Sequence, residues 1–315
     1  MLCDISNTIS LQGIFELAEV TGVLDVSCKN LLYLPDLPDS LTILMCYGNQ
    51  LTSLPRLPSS LRTLTCHRNQ LTILPDLPPS LTKLACEDNF LSSLPTLPYL
   101  AVLRCYKNQI TELPELPQSL LELCCSGNRL SILPKLPDSL LELRCYDNQL
   151  TCLPTLPTLT TLWCYRNQLM ALPELPSSLQ ALLCSMNHLT SLPKLPLSLK
   201  ELGCSSNQLT FLPELPQSIP KLYAKDNPWH PRFQGNGSQR PSIRNIQAWH
   251  MEKRRLFKQI LTCQYFHFIC FRKINSFPNT DILHRIGSFL SGENGTILFQ
   301  LTQLTTQYRK IKTLS

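Results

Sequence analysis

Apolar positions along this chain return on a fixed beat of about twenty residues, longer than any helix or strand period. One clean copy runs Leu41-Thr-Ile-Leu44-Met-Cys46-Tyr-Gly-Asn49-Gln-Leu51-Thr-Ser-Leu54-Pro55-Arg-Leu57-Pro58-Ser-Ser60, or L-x-x-L-x-C-x-x-N-x-L-x-x-L-P-x-L-P-x-S. Its second Leu recurs as Leu24, Leu44, Leu64, Leu84, Leu103, Leu123, Leu143, Leu162, Leu182, Leu202 and Leu222, eleven copies 19 or 20 residues apart. Around Leu44 and Cys46 apolar and variable positions alternate, the period of a short strand. Leu44 and Cys46 are expected to face inward, Met45 and Tyr47 outward.

Asn49 falls where the chain must leave the strand, and its amide can pair backbone groups that the bend would strand. Ten copies, at 49, 69, 89, 108, 128, 148, 167, 187, 207 and 227, are expected to stack as a ladder. Leu51 and Leu54 point back to the core. The Leu-Pro-x-Leu-Pro that follows cannot be helix, because each Pro removes a donor and restricts its predecessor. The return path is therefore extended and polyproline-like. No single repeat buries a core, but stacked repeats do. The pattern predicts a leucine-rich-repeat solenoid. It has a curved parallel β-sheet of about eleven short strands, on the order of 48 Å long at the usual strand spacing. Its convex side is extended, with a helical cap before it and a small α-helical tail after it. Two repeats lose one residue, at Pro98-Tyr-Leu100 and Pro157-Thr-Leu159; both losses fall on the return path, so the strands should survive.

Three regions follow. Residues 1–22 form an N-terminal cap, in which Leu11-Gln-Gly-Ile-Phe-Glu-Leu-Ala reads as a short amphipathic helix covering the first rung. Residues 23–227 are the solenoid. Residues 228–315 are a basic, mostly helical cap or tail: Asn227-Pro-Trp-His-Pro is a breaker, Gly235-Asn-Gly-Ser a loop, and Ser242 an N-cap. Beyond Ser242 an apolar stripe at helical spacing should cover the last rung, with Trp229 and Trp249 packed there. Further helices are expected up to about 291 and over 296–312. Residues 1–22 lack the basic start and apolar run of a signal peptide, and no apolar run approaches the 18 residues of a membrane span.

Composition adds two facts. Nine of the 15 Cys hold the inward strand position, at 46, 66, 86, 105, 125, 145, 164, 184 and 204, with Val26 and Ala224 at the ends. They read as small apolar core residues. Side chains in line on successive rungs do not converge on a metal ion, and unbridged thiols in register suit a reducing cytosol. Charge is also uneven: the repeats hold 15 Lys/Arg against 16 Asp/Glu, the tail 13 against 3. Such a tail could meet an acidic protein, a nucleic acid or an anionic membrane, with Lys253-Arg-Arg-Leu-Phe-Lys258 as its densest run.

The sequence holds no metalloprotease, P-loop or dinucleotide motif, so no catalytic, metal or cofactor site is expected and the chain reads as a non-enzyme. Binding is expected on the outward strand positions of the concave face. Arg104, Tyr106, Arg144, Tyr146, Trp163, Tyr165 and Arg166 concentrate in the middle rungs, and Trp, Tyr and Arg dominate interface energetics. Trp163 is the sharpest candidate, since an outward Trp has no core role.

The motif L-x-x-L-x-x-x-x-N-x-L-x-x-L-P-x-L-P over residues 23–227 resembles the leucine-rich domain of bacterial effectors of the IpaH/YopM type. Cys-bearing repeats of large DNA viruses of protists look similar. The resemblance implies recognition of a host protein after delivery into a host cell's cytoplasm. Effectors of the IpaH type also carry a ubiquitin-ligase domain with a Cys-x-Asp nucleophile. Only 88 residues follow the repeats here, without Cys-x-Asp; Cys86-Glu-Asp88 and Cys145-Tyr-Asp147 fit that string but lie on the repeat strand with Cys inward. Ligase activity is therefore not implied. A second stretch, with Phe277, Pro278, Ile282, Leu283, Ile286, Phe289 and Leu290, is similar to an F-box. It implies an adaptor that recruits a cullin ubiquitin ligase.

Overall fold

A computed structural model describes residues 11–216, 219–229, 234–235 and 238–241, with residues 251 and 255. The chain divides into two units, residues 1–251 and 252–315, and the repeats all lie in the first. Helix α1 (Leu11–Thr21) is followed by β1 (Val23–Asp25), β2 (Ile43–Met45), β3 (Thr63–Thr65), β4 (Lys83–Ala85), β5 (Val102–Arg104) and β6 (Glu122–Cys124). Then come β7 (Glu142–Arg144), β8 (Thr161–Trp163), β9 (Ala181–Leu183), β10 (Glu201–Gly203) and β11 (Lys221–Tyr223). The eleven strands form one parallel sheet in sequence order. Each is three residues long, because the chain must leave the sheet to reach the next rung. The central Leu residues pair with one another across the sheet, and from Leu24 to Leu202 they are fully buried. The solenoid and its eleven strands are as the sequence predicts.

The Asn ladder ties the rungs together. Asn128 Nδ2 donates to Cys105 O and to its own rung's Cys125 O, both at 3.0 Å, while Oδ1 accepts Ile110 N–H at 3.0 Å. The same three bonds recur at Asn69, Asn89 and Asn108. A second ladder stands where the return path re-enters the sheet. Ser60, Ser80, Ser139 and Ser198 donate to the carbonyls of Leu41, Leu61, Leu120 and Leu179 one rung earlier.

The return paths carry no regular structure. They close with a turn in which Leu61 N–H donates to Pro58 O at 3.1 Å. In the two shortened repeats the turn tightens by one residue: Leu100 N–H reaches Pro98 O, and Leu159 N–H reaches Pro157 O, each at 2.8 Å. Register is untouched, with Leu84 against Leu103 and Leu143 against Leu162.

Leaving the strand demands a left-handed residue just before the Asn. Gly48 and Gly127 supply it at φ 67° and 61°; Arg68, Asp88, Lys107, Asp147, Arg166, Met186, Ser206 and Asp226 adopt it at φ between 53° and 57°. A side chain there is opposed by its own Cβ. Ser206→Gly should therefore raise stability by about 0.5–1 kcal/mol, read as an upward shift in the urea midpoint; an unchanged or lower midpoint would show that the turn stores no strain.

Both ends of the solenoid are covered. α1 ends at Gly22 (φ 69°), whose N–H donates to Ala18 O at 2.9 Å, a left-handed stop. Ala18 is buried, and Ile14 and Phe15 pack against the core. At the far end Trp229 is buried and its Nε1 donates to Ala224 O at 3.0 Å. Gly235 and Ser238, the two ends of the stretch expected to be a loop, instead lie in two short antiparallel strands, β12 (Gln234–Gly235) and β13 (Ser238–Pro241). Trp249, the helices expected beyond Ser242 and the basic run at 253–258 lie outside the described residues, save Met251 and Arg255, which are both helical.

Candidate protein-binding surface

Three columns of side chains stand on the outward face of the sheet, because each strand and the residue two beyond its end alternate in and out. One precedes the buried Leu (Glu122, Glu142), one follows it (Arg104, Arg144, Trp163), and one follows the Cys (Tyr106, Tyr146, Tyr165). Neighbours within a column sit about 4.8 Å apart, close enough for rings to stack and charges to pair.

The middle rungs use that spacing. Tyr146 and Tyr165 stack at 4.3 Å between centroids and 7° between planes. Trp163 tilts against Tyr146 at 6.5 Å, and the Arg144 guanidinium lies 4.7 Å from the Trp163 ring centroid. Aromatic pairs and cation–π contacts of this kind add on the order of 1 kcal/mol each. Arg144 is held from the other side, with Nη2 on Glu142 Oε2 at 2.8 Å and Nη1 at 3.7 Å from Glu122 Oε1. Glu122 is shared: it also accepts both arms of Arg104, at 3.0 and 3.2 Å. The charges of this array therefore cancel within the chain. What it leaves unmet is hydrogen bonding, since Trp163 Nε1 and Arg144 Nε are enclosed without a partner. Burial, then Tyr146, pushes the Tyr165 phenol up to about 12.

The structure thus brings Arg144, Tyr146, Trp163 and Tyr165 into one cluster and joins Arg104 to it through Glu122. Tyr106 stands apart, separated from Tyr146 by the buried Ser126. Arg166 is not on the face: it occupies the left-handed turn position (φ 55°), exposed, with Nε on Met186 Sδ at 3.4 Å. Glu122 and Glu142 were missed because only the two columns after the Leu were read; strict alternation would have found them. The F-box-like Phe277, Pro278, Ile282, Leu283, Ile286, Phe289 and Leu290 lie outside the described residues.

Cys86 and Cys145, which fit the Cys-x-Asp string, are fully buried, and burial pushes both thiols well above their ordinary range. Among the described residues, no group of three or more His, Cys, Asp or Glu could hold a metal ion, and no helix is long and apolar enough to cross a membrane.

The repeat geometry, the Asn ladder and the thin return path define the class: this chain is a leucine-rich-repeat solenoid with 20-residue repeats of the kind found in bacterial effectors. It is similar to YopM from Yersinia enterocolitica WA-314, at 37% identity over 66% of this chain and 56% of that one, with a TM-score of 0.59. It is also similar to the leucine-rich effector protein YopM from Yersinia pestis, at 28% identity over 70% and 88% of the two chains, with a TM-score of 0.37. The leucine-rich-repeat domain of APL1B, at 21% identity over 72% and 81% with a TM-score of 0.53, shares the fold alone. The match spans little more than half the length of the Yersinia enterocolitica chain. No protein-family model and no curated protein matches this sequence.

Proposed function

We propose that this chain is a non-enzymatic recognition protein that captures a protein partner, of effector type and acting on a host protein, on the outward face of its sheet. The observation that carries this reading is the Arg144–Tyr146–Trp163–Tyr165 cluster. It is rigid, aromatic, charge-neutral as a whole, and holds two donors without partners. A fixed aromatic patch loses little side-chain freedom on binding, which is why such residues anchor interfaces. Similarity to Yersinia YopM supports the effector role, and the unbridged inward thiols support a reducing compartment.

The test is a pull-down from eukaryotic lysate with full-length protein, wild type and Trp163→Ala, with bound proteins identified by mass spectrometry. Trp163→Ala should lower recovery of the specific partner by about tenfold or more, the usual effect of removing an anchor Trp. Equal recovery would sink the outward-face reading. The F-box-like stretch supports a second reading, in which the tail recruits a cullin ligase to whatever the repeats hold. A cullin adaptor recovered with wild type and lost with Leu290→Asp would support it; its absence from both eluates would remove it.

A further inference from the structure

The outward face sinks at the fourth rung. Ala85 and Glu87 point outward, by alternation with the inward Leu84 and Cys86, yet they are only 4% and 6% exposed. Taller side chains stand on either side: His67 on the rung before, Arg104 and Tyr106 on the rung after. Glu87 is thus a carboxylate at the floor of a slot between an imidazole and a phenol.

Its hydrogen bonding is incomplete. Glu87 Oε2 is enclosed with no partner, and so is His67 Nδ1. The imidazole lies 3.8 Å from Glu87 Oε1, too far for a hydrogen bond. Burial lowers the His67 pKa, with Glu87 opposing. A neutral ring protonated on Nε2 presents Nδ1 as an acceptor. Two acceptors without partners therefore stand on neighbouring rungs of one slot.

The cations nearby are committed elsewhere. Arg104 forks onto Glu122, while Arg68 and Lys107 lie 3.8 and 3.5 Å from Asp88. Among the described residues no Lys or Arg pairs with Glu87. A sunken carboxylate without a cation is unfavourable, and a cation supplied from outside would relieve it. The walls suit one as well. His67 stacks flat on Tyr47 at 4.5 Å and 5°, and across the slot burial and the Glu87 carboxyl push the Tyr106 phenol up. Ring faces attract cations.

We propose that Glu87, His67 and Tyr106 form a slot for a lysine side chain of the bound protein. This rests on the reading that the outward face binds protein. An ammonium has three donors, one for Glu87 Oε2, one for His67 Nδ1 and one for the Tyr106 hydroxyl oxygen. A guanidinium binds a carboxylate best when it forks onto both oxygens, and Glu87 Oε1 is turned toward His67. The part-exposed Tyr106 side chain swings aside as the lysine enters, a motion of nanoseconds.

The test uses a lysine side chain without the protein attached to it. Nα-acetyl-lysine N-methylamide is titrated into full-length protein carrying carbon-13 at histidine Cε1, with His67 assigned by its loss in His67→Gln. The His67 resonance should move saturably with this probe and stay still with the norleucine analogue. Glu87→Gln, isosteric and outside the Asn ladder, should weaken the response by about tenfold or more. No shift, an equal shift with norleucine, a tighter response to the arginine analogue, or a response unchanged in Glu87→Gln would each overturn the slot. None of these bears on the Trp163→Ala capture result, so the two readings fail separately.

Discussion

Asn128→Ala should destabilise the solenoid by roughly 2–4 kcal/mol, because it strands one buried N–H, at about 1–3 kcal/mol, and takes one of two hydrogen bonds from each of two buried carbonyls, at about 0.5–1 kcal/mol each. The N–H is that of Ile110; the carbonyls are Cys105 O, which keeps Asn108 Nδ2, and Cys125 O, which keeps Asn148 Nδ2. Asn128 itself is 8% exposed, and Cys105, Cys125 and Ile110 are fully buried, so water cannot replace the lost amide without opening the rung. Two of the three bonds run to the previous rung, so the loss falls on the interface between repeats rather than on one repeat. In a solenoid that interface is where stability resides. Asn227→Ala is the matched control. Its amide bonds Cys204 O and Lys225 O and accepts from Leu209 N–H, but the residue is half-exposed and Lys225 lies at the surface. It should cost less than half as much. Urea unfolding of both variants would decide it: a fall in midpoint at unchanged slope reports lost stability. Equal effects at Asn128 and Asn227, or a loss under 1 kcal/mol at Asn128, would mean the ladder is not what holds the rungs.

This ladder was legible in the sequence because one residue type at one position admits one purpose in a parallel stack. The strand count, the burial of Leu and Cys, and the survival of register through the shortened repeats were legible for the same reason: each follows from period and from Pro chemistry. The Ser ladder was not, although its Ser stands in the repeat motif. A hydroxyl near a turn has several local acceptors, and only the stacked geometry selects the carbonyl one rung back. The site was legible in part. Composition finds Trp163 and the tyrosines, but not that Arg104 and Arg144 are neutralised by Glu122 and Glu142. Glu122 pairs laterally, with Arg104 and Arg144 on the rungs to either side, and Glu142 stands two residues from Arg144 in the column that was not read. Nor does sequence show Glu87 as sunken, because its depth depends on the size of side chains one rung to either side. A site on a solenoid face is a two-dimensional pattern, and one-dimensional reading recovers its columns before its rows.

The second large effect is chemical. Treated with iodoacetamide at pH 8, full-length protein should label Cys28 and Cys152 within minutes and the nine ladder thiols at least a thousandfold more slowly. Cys28 and Cys152 are exposed; the nine are fully buried. Two factors multiply. The thiolate is the nucleophile, and burial pushes Cys46 and Cys204 up to about 12 and the seven between them well above 9.0. At about 12 a thiol carries roughly a thousandfold less thiolate than one of ordinary pKa. The reagent must also reach a side chain packed between stacked Leu residues, which requires the rung to open. Opening is easiest at the ends of a repeat array, so Cys46 and Cys204 should lead the nine, with Cys125 and Cys145 last. Cys124 faces outward but is overhung by its neighbours, and burial raises its thiol too; it should fall between the two groups. Site-resolved mass spectrometry of the adducts over time reads all of these rates. Ladder thiols labelling within tenfold of Cys152 would mean the core is open in solution. A single common rate for the nine would mean that the solenoid opens all at once, with the interface between every pair of rungs lost together.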